Sequence, residues 1–169
     1  MAGTITGVEY DFKLLVAQTL STGLDLIVSA PKITIGTSNS GSIAAGGTPP
    51  FTTVWSDSRT LAGASETLDL TNLTDGLFSA VTTFAGLRIN FIKIVAASGN
   101  NATGLTVKFG ATEGYNLFGA SGRVTIPPGG IVMAMYNDNN STDIVNSTND
   151  KIDVSGTAAD VYSILLVGG

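Results

Sequence analysis

What most limits the folds open to this chain is a two-residue alternation of apolar and polar side chains, broken at short intervals by turn formers. Leu105, Val107 and Phe109 alternate with Thr106 and Lys108; Val124 and Ile126 with Arg123 and Thr125; Ile152 and Val154 with Lys151 and Asp153. Successive side chains of a strand point to opposite faces, so each run predicts a half-buried strand, and together they predict an antiparallel sheet with one wet face. The runs from Ile131 to Tyr136 and from Val161 to Val167 are apolar at almost every position and predict central strands covered on both faces. Between Leu87 and Ala97 the phase changes: Leu87, Ile89 and Phe91 share one face, Ile92 and Ile94 the other. A one-residue bulge near Phe91 reconciles the two registers.

Ser98-Gly99-Asn100-Asn101, Pro127-Pro128-Gly129-Gly130 and Ser155-Gly156-Thr157 stand between these runs as turn formers. No amphipathic helical segment separates the strands, as a βαβ fold would require. Asp75 to Ala85 is read as one short helix or an irregular crossover, with Leu77, Phe78, Val81 and Phe84 sealing one end of a core. The expected class is all-β: an antiparallel β-sandwich, jelly-roll-like, over residues 51–169. Residues 1–50 read as an N-terminal arm or small β subdomain, with short strands at Thr4–Val8, Phe12–Val16, Leu24–Val28 and Lys32–Ile35; the alternative is that residues 1–35 add strands to the same sandwich. The small residues from Gly36 to Ser42 and from Ala44 to Pro50 have little to bury and read as loop or linker.

Composition removes most chemistry. The chain has no Cys and no His, so disulfides, thiolate nucleophiles, imidazole bases and histidine metal ligands are all excluded. No catalytic, cofactor-binding or metal-binding residue is assigned, and the chain reads as a non-enzyme. Charged residues are only 12% of it, and none occurs between Lys32 and Asp57. Two readings stand: a Ser/Thr/Asn-rich surface that is polar without charge, or, as favoured here, a surface buried against neighbours, since interface cores are depleted in charge. A net charge of −5 with scattered Lys and Arg argues against nucleic acid, and no apolar run approaches the ~20 residues of a membrane span. The Asn-x-Ser/Thr acceptors at Asn72, Asn101, Asn140 and Asn146 read as accidents of an Asn/Thr-rich chain, since Met1 to Thr4 carries no basic leader.

The remaining candidates are modest. Glu9, Glu66 and Glu113 are the only glutamates, and a glycosidase would need two carboxylates across one cleft. Nothing in their spacing pairs them. Asp138-Asn139-Asn140-Ser141-Thr142-Asp143 offers oxygen ligands for calcium but lacks the Gly and terminal Glu of a helix–loop–helix site, so a solvated turn is expected. Gly41 to Gly47 is not followed by Gly-Lys-Ser/Thr, which argues against a phosphate loop. Gly104, Asn100, Asn101 and the Gly110–Gly114 segment read as tight turns needing positive φ. Trp55, Tyr115, Phe118 and Tyr136 are candidate glycan or protein contacts that serve equally well as core, and Met133 and Met135 read as packing.

From Trp55 to Gly169 the chain resembles small structural proteins of tailed-bacteriophage virions. The resemblance is carried by Ser56-Asp57-Ser58-Arg59-Thr60-Leu61, Glu66-Thr67-Leu68-Asp69-Leu70 and Arg88-Ile89-Asn90-Phe91-Ile92-Lys93-Ile94. It continues through Thr106-Val107-Lys108-Phe109-Gly110, Val124-Thr125-Ile126-Pro127-Pro128-Gly129-Gly130 and the C-terminal Asp153–Gly168 stretch. It implies a compact β-sandwich that decorates or cements a capsid, associating with itself (a homotrimer) and with the major capsid protein or another virion protein, at the capsid surface. The alternative it leaves is a head- or tail-fibre module that binds host glycans or another virion protein.

Overall fold

The computed structural model describes residues 7–19, 32–44, 52–74, 81–110, 112–118, 122–135 and 144–169, with backbone alone for 7–19, 32–44, Phe109 and Met135. The strands are β1 (Gly7–Thr19), β2 (Lys32–Ala44), β3 (Thr53–Thr60), β4 (Ser65–Asp69), β5 (Leu73–Thr74) and β6 (Val81–Thr82). They continue as β7 (Ile89–Ala96), β8 (Leu105–Phe109), β9 (Arg123–Ile126), β10 (Ile131–Met135), β11 (Lys151–Ser155) and β12 (Val161–Gly168). Among the described residues there is no helix, and every strand pairing is antiparallel.

Two four-stranded sheets form the body, in the orders β10-β7-β12-β3 and β4-β11-β8-β9. Alternation supplies one core from both. Ile92, Ile94, Ile164 and Leu166 come from the first sheet, and Leu68, Leu105, Val107, Ile126, Ile152 and Val154 from the second, all in one buried cluster. Leu61, Leu70 and Phe84, on the connections, join it. The predicted strands at 105–109, 123–126 and 151–154 are present, and their polar partners Lys108, Arg123 and Thr125 are exposed.

The irregularity expected near Phe91 is also present. Gly168 pairs with Ile89 and Val167 with Phe91, which leaves Asn90 as the extra residue. The shift thus comes one position earlier than the alternation suggested: Ile89, Ile92 and Ile94 are buried, while Phe91 falls in phase with half-buried Lys93 and Val95. Gly168 is suited to the close approach there, because a Cβ on it would overlap the Arg88 carbonyl oxygen.

Three expectations need correction. Residues 131–135 form an edge strand, not a central one; its neighbour on one side is β7, and Ile131 and Met133 are 59% and 45% exposed. Val132 and Ala134 are the positions that pack on the core, so Met133 does not. The small-residue tract Gly36–Ser42 is strand, paired residue by residue with β1 (Leu15↔Gly36 to Glu9↔Ser42). Cross-strand pairing with larger residues supplies what the tract lacks in side chain. Within Asp75–Ala85, Val81–Thr82 pairs with Leu73–Thr74, Phe84 is fully buried and Val81 is exposed; Leu77 and Phe78 lie outside the described residues, as do Leu24–Val28.

β1 and β2 make a ribbon of thirteen cross-strand pairs, and each hydrogen-bonds to the other alone among the described strands. Its register sorts the sequence into two faces. Val8, Tyr10, Phe12, Leu14, Val16 and Gln18 share one face with Ile43, Gly41, Asn39, Thr37, Ile35 and Ile33; Glu9, Asp11 and Lys13 share the other with Ser42, Ser40 and Ser38.

Candidate interaction surface

The outer faces of the two body sheets differ in chemistry. On β4-β11-β8-β9 the outer positions are Ser65, Thr67, Lys108, Arg123 and Thr125, exposed, with Asp69, Lys151, Asp153 and Thr106 half-buried. Thr67 Oγ1 donates to Asp153 Oδ1 at 2.6 Å, and Lys151 Nζ lies 2.7 Å from Asp69 Oδ2 and 3.2 Å from Asp150 Oδ2. Burial works against the Lys151 charge, yet bonds to Asp69 and Asp150 hold its ammonium above the ordinary value. Burial likewise opposes the Asp69 charge, and bonds from Lys151 and Thr71 outweigh it, holding the carboxyl below its ordinary range. This is a hydrated face laced with ion pairs.

The outer face of β10-β7-β12-β3 is built otherwise. Directly opposed residues form rows across the sheet: Phe91, Val167 and Val54; Met133, Lys93, Leu165 and Ser56; Ile131, Val95, Ser163 and Ser58. Ile131, Met133 and Val54 are exposed, as are Ser56, Ser58 and Ser163; Phe91, Val95 and Leu165 are half-buried, Val167 is buried, and Lys93 is the single charge in the rows. The exposed apolar residues of this face are Ile131 and Met133 on one edge strand and Val54 on the other. No sequence signal distinguished this face, because an apolar residue destined for a partner looks the same as one destined for the core.

The polar residues inside the body tie it together. Arg59 on β3 donates from Nε to Glu66 Oε2 on β4 at 3.0 Å and from Nη1 to Asp57 Oδ2 at 2.9 Å. Tyr162 on β12, 1% exposed, donates its hydroxyl to Glu66 Oε1. The network therefore crosses from one sheet to the other. Burial, then the Glu66 carboxylate, pushes the Tyr162 hydroxyl far above its ordinary value, so it is held as a donor. Burial opposes the Arg59 charge, but Glu66 holds it above its ordinary value.

A second tie joins two turns at one end of the body. Asp160, 4% exposed, accepts from the Asn101 N–H through Oδ1 at 2.8 Å and from the Thr157 N–H through Oδ2 at 2.7 Å. Asn100 brackets Val161, donating from Nδ2 to its carbonyl at 2.8 Å and accepting its N–H at 2.7 Å. Asn100 and Asn101 thus serve through hydrogen bonds; positive φ falls to Gly104, Glu113 and Ala159, and to Gly86 and Gly129.

The residues named from sequence disperse across this architecture. Glu66 is engaged in the inter-sheet network, and Glu113 sits exposed in a turn whose carbonyl accepts the Asp150 and Lys151 N–H groups. Trp55 is 3% exposed and belongs to the core, as does Tyr115, whose hydroxyl accepts the Ile89 N–H at 3.0 Å; Phe118 packs against that core. Their binding role is withdrawn on that ground. Tyr136 and the Asp138–Asp143 loop lie outside the described residues, and nothing is described of the Glu9 side chain. Among the described residues, no cluster of three or more acidic groups is placed to hold a metal ion. Comparison with family models, curated proteins and solved structures finds no match.

Proposed function

We propose that this chain is a non-catalytic structural protein of a virion, a capsid decoration or cement protein that binds and stabilises an assembled shell. The observation that carries the reading is the asymmetry of the body: one outer face laced with ion pairs, the other a mixture of apolar residues and serines around a single lysine. A protein of this kind needs a rigid body, a surface for neighbours and no reactive group. Binding only to the assembled shell then stabilises that shell by mass action. The resemblance of residues 55–169 to virion proteins supports the same reading, with association of identical copies, as a trimer, part of the proposal.

The body is proposed to be a jelly-roll sandwich. Taking its eight longer strands in chain order, β3, β4 and β7 to β12, the sheets run first-eighth-third-sixth and second-seventh-fourth-fifth. That interleaving of early and late strands is what two nested Greek keys produce, an arrangement shared by viral capsid domains and lectins. A fibre or glycan-binding module would display aromatic rings on an outer surface. The large hydrophobic residues most exposed among the described ones are Val54, Val81, Ile131 and Met133, all aliphatic or thioether, which favours decoration over glycan recognition.

Cryo-EM of the particle that carries the protein tests the reading. Copies repeating over the shell lattice are expected, with the β10-β7-β12-β3 face turned to a neighbour. Density confined to a tail, a vertex or a fibre overturns it.

A further inference from the structure

No further inference is drawn: the strongest candidate, the charge-free edge strand β10 with its exposed Ile131 and Met133, is a surface for which nothing in the structure shows what covers it.

Discussion

Replacing Asp160 by alanine should be among the most costly single changes at the turns of the body. Its carboxylate accepts one N–H from the β7–β8 turn and one from the β11–β12 turn, at 2.8 and 2.7 Å, from a position 4% exposed. Hydrogen bonds to a charged group contribute about 1.5–3 kcal/mol each. Asn101 and Thr157 themselves are exposed, so water recovers part of both, and a total of about 2–4 kcal/mol is expected for Asp160→Ala. For a chain of this length each kcal/mol lowers Tm by about 2–4 °C, giving a fall of roughly 5–15 °C. Asp160→Asn keeps one acceptor but sets its amide against an N–H, and should recover less than half of the loss. Thr103→Ala, an exposed hydroxyl in the same β7–β8 connection, should stay within about 0.5 kcal/mol of the parent. Urea and thermal unfolding at one fixed protein concentration measure all three, so that the association between copies proposed above does not enter the comparison. If Asp160→Ala unfolds within about 0.5 kcal/mol of the parent, the two turns are not held by this carboxylate.

Further outcomes follow from the same structure. Ala159 has φ 73°, a left-handed conformation that costs an alanine about 1–2 kcal/mol; Ala159→Gly removes that strain at an entropy cost of about 0.5–1, so a small rise in Tm is expected and a fall contradicts the assignment. Tyr162 ionises less readily folded than unfolded, so its contribution is fully present below the free tyrosine value near ~10 and is lost as pH rises beyond it. Alkaline unfolding curves of the parent should therefore fall more steeply than those of Tyr162→Phe, by up to about 1.4 kcal/mol per pH unit; parallel curves would separate Tyr162 from the inter-sheet network. Ile94→Ala, at a fully buried core position, should cost about 2–5 kcal/mol in denaturant, well beyond what any exposed outer-face substitution does to the body fold.

Much of the body was legible in the sequence because its signals are local. Thr106 and Lys108 against Leu105 and Val107 announce a strand with one wet face, and the Pro127–Gly130 turn announces where the next begins. Ile131 to Met135 misled, since alternation cannot separate a face waiting for a partner from a face inside a core; only the position of β10 at the sheet edge resolves it. The Gly36–Ser42 tract misled in the opposite sense. Its residues are poor strand formers alone, and they are held in β2 by register with Tyr10, Phe12 and Leu14, information that lies twenty and more residues away. The alternation of Val8, Tyr10, Phe12, Leu14 and Val16 was the signal that would have found the ribbon's apolar face. Trp55 illustrates a third limit: aromatic rings have the same appearance in sequence whether they meet a ligand or a neighbouring sheet. Asp160 carried no sequence signal, because a carboxylate before a strand is commonplace until its N–H partners, some sixty residues earlier in one case, are known.

The place of β12 has a consequence for synthesis. It lies between β7 and β3, and β3 has no other neighbour in its sheet; β11 likewise separates β4 from β8. A nascent chain that has emerged only as far as β10 can pair β7 with β10 and β8 with β9, but both β3 and β4 wait without a partner strand. Such pairings over long stretches of chain make for slow folding. The body therefore closes only when β11 and β12 have left the ribosome, and a product truncated before Val161 would carry the unpaired edges of β3 and β7 into the cell as sites for aggregation. Emergence of β12 thus times the closing of the body: its four-stranded sheet is not complete until that strand has been inserted between β7 and β3.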